Sequence, residues 1–582
     1  MQYPKLKELP SSRKIVDTFR GYNHNMRISD GEFFDMENMT SDYYPILSPR
    51  KKRGIYASPG APGGLIEKDG LCYVDGADFV INGYRVAMGL SEDCPKQLVS
   101  MGAYVIILPD KKYINTADIS EFGDIEAEFE ATGDVTFSVC REDGGEYTAE
   151  YIQPEEPANP ENMSLWIDTS AERHTLKQYS AASGVWVSIA TTYIKISSTG
   201  IGSAFDRYDG ITISGVIPEE LQDLNATMTI HNCADNWIVV LGFLDRVMTQ
   251  TAEEGTVRVS RQMPNMDFVV ESENRLWGCR YGTALDGRVV NEIYASKLGD
   301  FKNWNCFMGI STDSYAASVG TDGPFTGAVT HMGHPLFFKE NCVHKVYGNY
   351  PANFQIQTTA CRGVQKGCSR SLAIVNETLF YKAGSGVMAY DGSLPVEASY
   401  ALGNVYYSEA VAGSHGSKYY ISMKDGSQKW NLFVYDVAKS LWHREDSFRA
   451  ECFCSCGAQM YAIDHDTRNI VALLGGGDED CRPVKWMVQT GPIGTDMPDM
   501  KYISRLTLRM SMEIGTKVRI YVQYDSLGGW DHLCTMTGTN LRSFSIPIRP
   551  RRCDHLRLRI EGEGDARIYS LTKTTEQGSD IS

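Results

Sequence analysis

Four stretches of the chain share one shape and one spacing: GHPLFFKE at 333–340, NETLFYKA at 376–383, GSKYYISM at 416–423 and GAQMYAID at 457–464. In each, a polar or glycine turn leads into an aromatic-rich run. The lead aromatics Phe337, Phe380, Tyr420 and Tyr461 are 43, 40 and 41 residues apart. That cadence matches the roughly 40–50 residues of a four-stranded propeller blade. ENRLWGCRY, with Trp277, and two tighter units at 69–86 and 102–118 have the same strand-turn-strand character. Together they predict a β-propeller of about 6–8 blades, with seven units readable. The alternative is a run of unrelated meanders in separate sandwiches. Regular spacing favours the ring, because blades stacked about an axis leave only short, protected edges.

Outward from this core the chain stays all-β. Runs such as YVIIL at 104–108, DFVV at 267–270 and NLFVYDV at 431–437 are bounded by Asp-Gly and Asn-Gly turns. Helical signals reduce to IPEELQDL at 217–224, where Pro and two acids suit a first turn. Between 119 and 262 the blade spacing is lost and linker-like QPEEPANPEN appears at 153–162, yet VTFSVC, YIKIS, MTIHNC and WIVVLGFL still read as strands. This predicts a β-domain inserted at a blade connection. After 499, Leu556, Leu558 and Ile560 alternate with Arg557, Arg559 and Glu561, one apolar and one charged face, predicting a C-terminal β-sandwich. The expected division is 1–118 (N-terminal segment and first blades), 119–262 (inserted acidic β-domain), 263–498 (remaining blades) and 499–582 (sandwich).

With 582 residues, the chain can bury several cores without metals or disulfides. No window approaches the ~18 apolar residues of a membrane helix, and MQYPKLKELPSSRK lacks a secretory apolar region, so synthesis in the cytoplasm and no membrane insertion are expected. The 15 cysteines, an odd number scattered along the chain, are expected to be buried thiols rather than a disulfide framework. Net charge is -17, which argues against a polycationic nucleic-acid surface. It is unevenly placed: residues 118–262 carry 8 Lys and Arg against 25 Asp and Glu, whereas 501–575 carry 13 against 7.

Signatures of chemistry are sparse. No phosphate loop, nucleophile elbow, H-E-x-x-H or placed dinucleotide fingerprint is present. His331 and His334 fall in a Gly- and Pro-containing turn, and DHDTRN at 464–469 lacks the central Gly and bidentate Glu of a calcium loop. Cys452, Cys454 and Cys456 project to one face of a strand but lack paired C-x-x-C spacing, so small apolar filling is expected there. No catalytic residue, metal ligand or cofactor-binding residue is predicted. Two basic clusters stand out, Arg50, Lys51, Lys52 and Arg53, and Arg549, Arg551 and Arg552, and these are the candidate subunit-interface residues.

The segment TFRGYNHNMRISDGEFFDMENMTSDYYPILSPRKKR at 18–53 resembles the opening of a family of β-propeller structural proteins of tailed bacteriophages and prophages, the match lying on Gly31, Glu32, Met36, Asn38, Met39, Pro45, Pro49 and Arg50. The run 273–304, from ENRLWGCRY to IYASKLGDFKNW, is similar to a blade of tail-tube nozzle, or packaged-DNA stabilisation, proteins. The resemblance implies a non-enzymatic virion component of the tail or neck, made in the host bacterial cytoplasm. It also implies a homo-oligomeric ring, with a hexamer among the options, that meets portal, adaptor and other tail proteins and continues and closes the DNA-exit channel. Double-stranded DNA would pass without specific binding. Two rivals stand beside it. One is a tail-tip receptor-binding protein that recognises a glycan through Trp166, Trp186, Trp430, Trp442 or Trp530; the other is a propeller glycosidase whose paired carboxylates only the fold would bring together.

Overall fold

The computed structural model describes residues 11–577 except 93, 285–286, 477, 480–481, 496–499 and 550. Seven antiparallel meanders follow one another along the chain. Blade 1 runs from Pro62–Glu67 to Tyr84–Ala87, blade 2 from Gln97–Met101 to Phe122–Asp124, and blade 3 from Phe268–Ser272 to Tyr315–Ser318. Blade 4 runs from Gly327–His331 to Gln355–Ala360, blade 5 from Ala373–Val375 to Val396–Glu397, and blade 6 from Tyr407–His415 to Leu441–Arg444. Blade 7 contributes Ala450–Cys456, Gln459–Asp464 and Ile470–Ala472, and its fourth strand is Gly54–Ala57 from the N-terminal segment.

These sheets form a closed circuit. The first strand of each blade packs against the start of the next, from blade 1 through blade 7, and the first strand of blade 7 packs back on that of blade 1. Five of the seven seams have an apolar filling of their own, while those between blades 4 and 5 and between 5 and 6 share one cluster that runs on into the sandwich. Phe79 and Val105 lie between blades 1 and 2, Leu276 and Ile106 between 2 and 3, Trp277 and Phe337 between 3 and 4, Tyr420 and Met460 between 6 and 7, and Leu71 and Ile463 between 7 and 1. Both faces of a blade are therefore buried, which is why its strands read as continuous apolar runs rather than alternating ones. In blade 4, Leu336, Phe337 and Phe338 are all fully buried. Phe337 faces blade 3, while Phe338 packs on Tyr381 of blade 5 with ring centroids 5.1 Å apart. Phe380 instead packs toward blade 6, on Tyr419 at 5.3 Å. The cadence thus marks the second strand of blades 3 to 7 and not a fixed face, since an aromatic fits on either side of a doubly buried sheet.

The chain leaves the ring after Phe122–Asp124 and returns at Phe268–Ser272. The intervening insert is an eight-stranded sheet from Ala127–Glu130 to Arg258–Arg261, plus a small sheet of Tyr151–Gln153, Leu165–Asp168, Thr175–Ser180 and Val185–Ser188. Its separate core includes Phe137, Ile196, Ile211, Ile238 and Val259. IPEELQDL shortens to the 3₁₀ helix Glu219–Leu224, with Leu221 and Leu224 buried. A buried ion pair between Arg261 and Asp209 roots the insert, and Asn303 Nδ2 from blade 3 donates to Asp209 Oδ1 at 2.7 Å.

Beyond the propeller, Lys501–Tyr524 is one strand of 24 residues. Its first half pairs with Ala566–Gln577, its second with Leu556–Glu563, and Asp531–Ile546 follows it along both halves. Leu506, Leu508 and Met510 of the first half share a buried cluster with Val518, Ile520 and Val522 of the second. The two halves are thus the two layers of the sandwich, joined by strands that pass from one layer to the other.

The N-terminal segment ties these parts together. Ser11–Val16 pairs with Ala566–Gln577 at the sandwich edge. Gly21–Tyr22 and Glu32–Glu37 then bridge Lys485–Thr490 of the sandwich to the outer strand of blade 6, where Tyr22 pairs with Trp442. Gly31 turns the chain at φ +94°, and a Cβ there would stand 2.4 Å from the Thr18 carbonyl oxygen, so only glycine fits. Met36 and Met39 are 1% exposed. Asn38 donates to the Lys485 carbonyl at 2.8 Å and accepts from Arg50 Nε at 2.8 Å. The residues that carry the phage resemblance form a strap within the fold.

Candidate functional site

The two basic clusters have different surroundings. Arg53 donates to Glu445 at 2.6 Å and to Asp446 at 2.9 Å, its guanidinium lying 4.7 Å over the Phe448 ring, and Arg50 reaches Asp446 at 3.2 Å. Burial by itself would lower the Arg53 pKa; the facing Asp446 and Glu445 carboxylates outweigh it and hold the guanidinium charged. Arg50 and Arg53 therefore clamp the strap onto the connection between blades 6 and 7. Lys51 is exposed, and with Lys52 it lines a cleft of about 780 Å³ between the strap and the sandwich bend at Glu513–Thr516. Arg549, Arg551 and Arg552 are exposed after the strand Asp531–Ile546, with Arg551 5.2 Å over Tyr524.

The first strands of blades 1, 2, 3, 4, 6 and 7 and the turn before blade 5 surround a cavity of about 460 Å³, through Leu65, Leu98, Phe268, Ala328, Val411, Phe453 and Arg370. Leu65, Leu98, Phe268, Val411 and Phe453 give it a largely apolar lining, with Lys96, Gln97, Asp267 and Arg370 among them. A second cavity of about 400 Å³, beside blades 1, 6 and 7, is lined by Arg370, Glu409, Trp430, Arg449, Glu451 and His465. Several of its charges have partners in place. Glu451 meets His465 Nδ1 at 2.7 Å, Glu409 meets Lys424 at 2.9 Å, and the Arg449 guanidinium lies 5.1 Å over Trp430. At its wall the buried Lys96 ammonium donates to Asp110 and to Ser91 Oγ, both at 2.6 Å. Burial would raise the Asp110 pKa, but the hydrogen bonds Asp110 accepts from Lys96 and from the Ser91 backbone N–H outweigh it and hold the carboxyl below its usual value. Such a cavity suits a polar, hydrogen-bonding ligand.

The other sequence candidates are structural. Cys452, Cys454 and Cys456 pack with Leu65 and Tyr73 in the seam between blades 7 and 1. Burial pushes Cys452 up to about 11 and Cys454 up to about 12, so both stay protonated near neutrality. His331 and His334 face each other across the blade 4 hairpin, each contacting a different carbonyl oxygen, Glu377 at 2.7 Å and Val346 at 3.1 Å. In DHDTRN, Asp464 caps its own turn through Thr467 at 2.7 Å. Of the five tryptophans considered for glycan contact, Trp442 is 2% and Trp166 4% exposed, so both are corrected to core residues. Trp186 is half-buried on the small sheet of the insert, edge-on to Trp166 at 5.4 Å and beside Tyr179 at 5.3 Å.

Two buried histidines set a pH dependence that the sequence did not announce. His344 in blade 4 is held between Thr321 and Thr358 at 2.8 and 2.9 Å, and burial, with Lys339 nearby, pushes it down to about 4. His443 in blade 6 is 1% exposed, and burial together with Lys418 drives it well below the usual value. Both folded-state pKa values lie below that of the unfolded chain, so the unfolded chain binds more protons. Stability is then level above about pH 6.5 and falls as pH drops from there toward 4, by up to about 1.4 kcal/mol per unit for each ring. Denaturant unfolding at pH 7, 6 and 5 checks this; an unchanged midpoint contradicts it.

No family model matches the chain, and no curated protein matches it. Among solved structures it is similar to an exo-β-1,3-galactanase from Phanerochaete chrysosporium, at TM-score 0.20 and 8% identity over 52% of this chain and 94% of that one. PorZ, a surface component of the type-IX secretion system of Porphyromonas gingivalis, gives TM-score 0.25 and 9% identity over 88% of this chain and 77% of that one. Trypanosoma rangeli sialidase gives TM-score 0.18 and 7% identity over 96% of each chain. At this distance the likenesses carry no argument about activity.

Proposed function

We propose that the protein is a non-enzymatic structural subunit of a phage tail or neck, whose copies assemble into a ring that continues and closes the DNA-exit channel. The observation that supports it best is the separation of charge on one frame. Residues 118–262 carry 8 basic against 25 acidic side chains, and residues 501–575 carry 13 against 7. In the insert Asp209 alone among these carboxylates is buried; nearly all the others face water. An acidic surface turned toward the duplex repels phosphates over about 8–10 Å and lets DNA slide, whereas a basic module suits protein neighbours such as the next copy, a portal or an adaptor. Electron microscopy of the purified chain tests the reading. Closed, hollow rings wide enough for a duplex are expected; discrete monomers at high concentration count against it.

The half-buried Trp186, with Tyr179 beside it, favours glycan recognition as a second reading. Signal on a glycan array that Trp186→Ala abolishes would favour it over the ring.

A further inference from the structure

The strand Asp531–Ile546 pairs on one side only, with Lys501–Tyr524; among the described residues no strand lies along its other edge. It runs for 16 residues, DHLCTMTGTNLRSFSI, without a lysine or proline. Asn540, Leu541, Arg542, Ser543 and Ser545 along it are exposed. Bulges interrupt its pairing with Lys501–Tyr524 near Met512 and at Ile520–Tyr521, but Arg542–Ile546 keeps an unbroken register, and an open edge of this kind is a template for another strand unless something covers it. Arg542 lies on it, and Arg549 and Arg551 follow it directly. The insert ends in a second open edge, of opposite charge. Among the described residues Ala127–Glu130 pairs only with Arg258–Arg261, and Glu126, Glu128 and Glu130 beside and along it are all exposed, Glu126 meeting Lys111 at 2.7 Å and Glu130 meeting Arg258 at 2.9 Å within the chain.

We propose that a second copy of this chain adds its Ala127–Glu130 edge to the Asp531–Ile546 edge, with Glu128 and Glu130 set against Arg542, Arg549 and Arg551. Backbone pairing supplies contact and the charges supply register, as in other strand-addition complexes. The two surfaces differ, so the contact is heterologous: a joined pair keeps one free edge of each kind, and repetition gives a ring where the rotation closes and a filament where it does not. This rests on the ring reading and names the contact that would build it. The remaining carboxylates of the insert, such as Glu155, Glu156, Glu161 and Glu172, stay outside it.

The full chain is tested by hydrogen exchange, dilute and concentrated, with microscopy of the same samples. Slowed exchange of both 127–130 and 540–546 on self-association is expected. Arg549→Glu with Arg551→Glu should weaken association by about tenfold or more, and adding Glu128→Arg with Glu130→Arg should restore it. Rings whose two edges exchange as in the monomer overturn this contact and leave the ring reading standing. Filaments with both edges protected support the contact and remove the ring. A chain that stays monomeric at high concentration and low salt overturns both. Because exchange is read on the unaltered chain, a variant that misfolds does not decide the matter.

Discussion

Replacing Arg53 with methionine should destabilise the protein by about 3–5 kcal/mol, because it leaves two poorly solvated carboxylates without their cation. Glu445 and Asp446 are 8% and 23% exposed at their side chains, and Arg53 is within 2.6 and 2.9 Å of them. Arg50 remains near both, at 3.6 and 3.2 Å, yet one guanidinium cannot balance two acids. Lys51→Ala, next to Arg50 in the chain but exposed and in neither ion pair, should change stability by less than about 0.5 kcal/mol. Urea unfolding of the two variants distinguishes a clamp from a docking loop: similar small losses would mean that Arg53 holds nothing.

Phe337→Ala is expected to cost a similar amount, about 3–5 kcal/mol, as lost transfer energy plus the cavity left in the seam between blades 3 and 4. The ring is fully buried, with Phe325 at 6.2 Å between centroids and Trp277 in the same cluster. Phe337→Leu, which keeps most of the volume, should cost less than half as much. A loss below about 1 kcal/mol for the alanine variant would mean that the seam collapses freely.

The sequence made the ring legible because its signal is local. Turns such as Asn376-Glu377 and Met332-Gly333 sit directly before the lead aromatics, and all of Trp277, Phe337, Phe380, Tyr420 and Tyr461 fall on the second strand of a blade. Blades 1 and 2 were visible as tighter units for the same reason. What stayed hidden depends on partners far away in the chain. RKKR at 50–53 reads as a basic cluster for a subunit interface, and nothing local in it announces that Glu445 and Asp446, almost 400 residues on, lie beside Arg50 and Arg53. SRLTLRMSM and KVRIYVQY read as two strands, and the structure joins them through Glu513–Thr516 into one. Trp442 reads as an available ring but is held in the core, its Nε1 donating to the Ala398 carbonyl at 2.8 Å. The open edges at 127–130 and 531–546 have no local signature at all, since an edge is defined by what does not pair with it.

The fourth strand of blade 7 has a kinetic corollary. Gly54–Ala57 finds its partner Ile470–Ala472 only after some 400 further residues have been made, which at ribosomal speeds of about 5–20 residues per second is roughly 20–80 s. Through that interval Gly54–Ala57 waits without its blade, Glu32–Glu37 waits for Lys485–Thr490, and Ser11–Val16 waits longer still, for 571–576. Completion of the circle is thereby reserved for the end of translation, and nascent chains truncated before residue 470 should be open horseshoes with a bare strand edge at each tip, the form in which this protein is most exposed to chaperones and to aggregation.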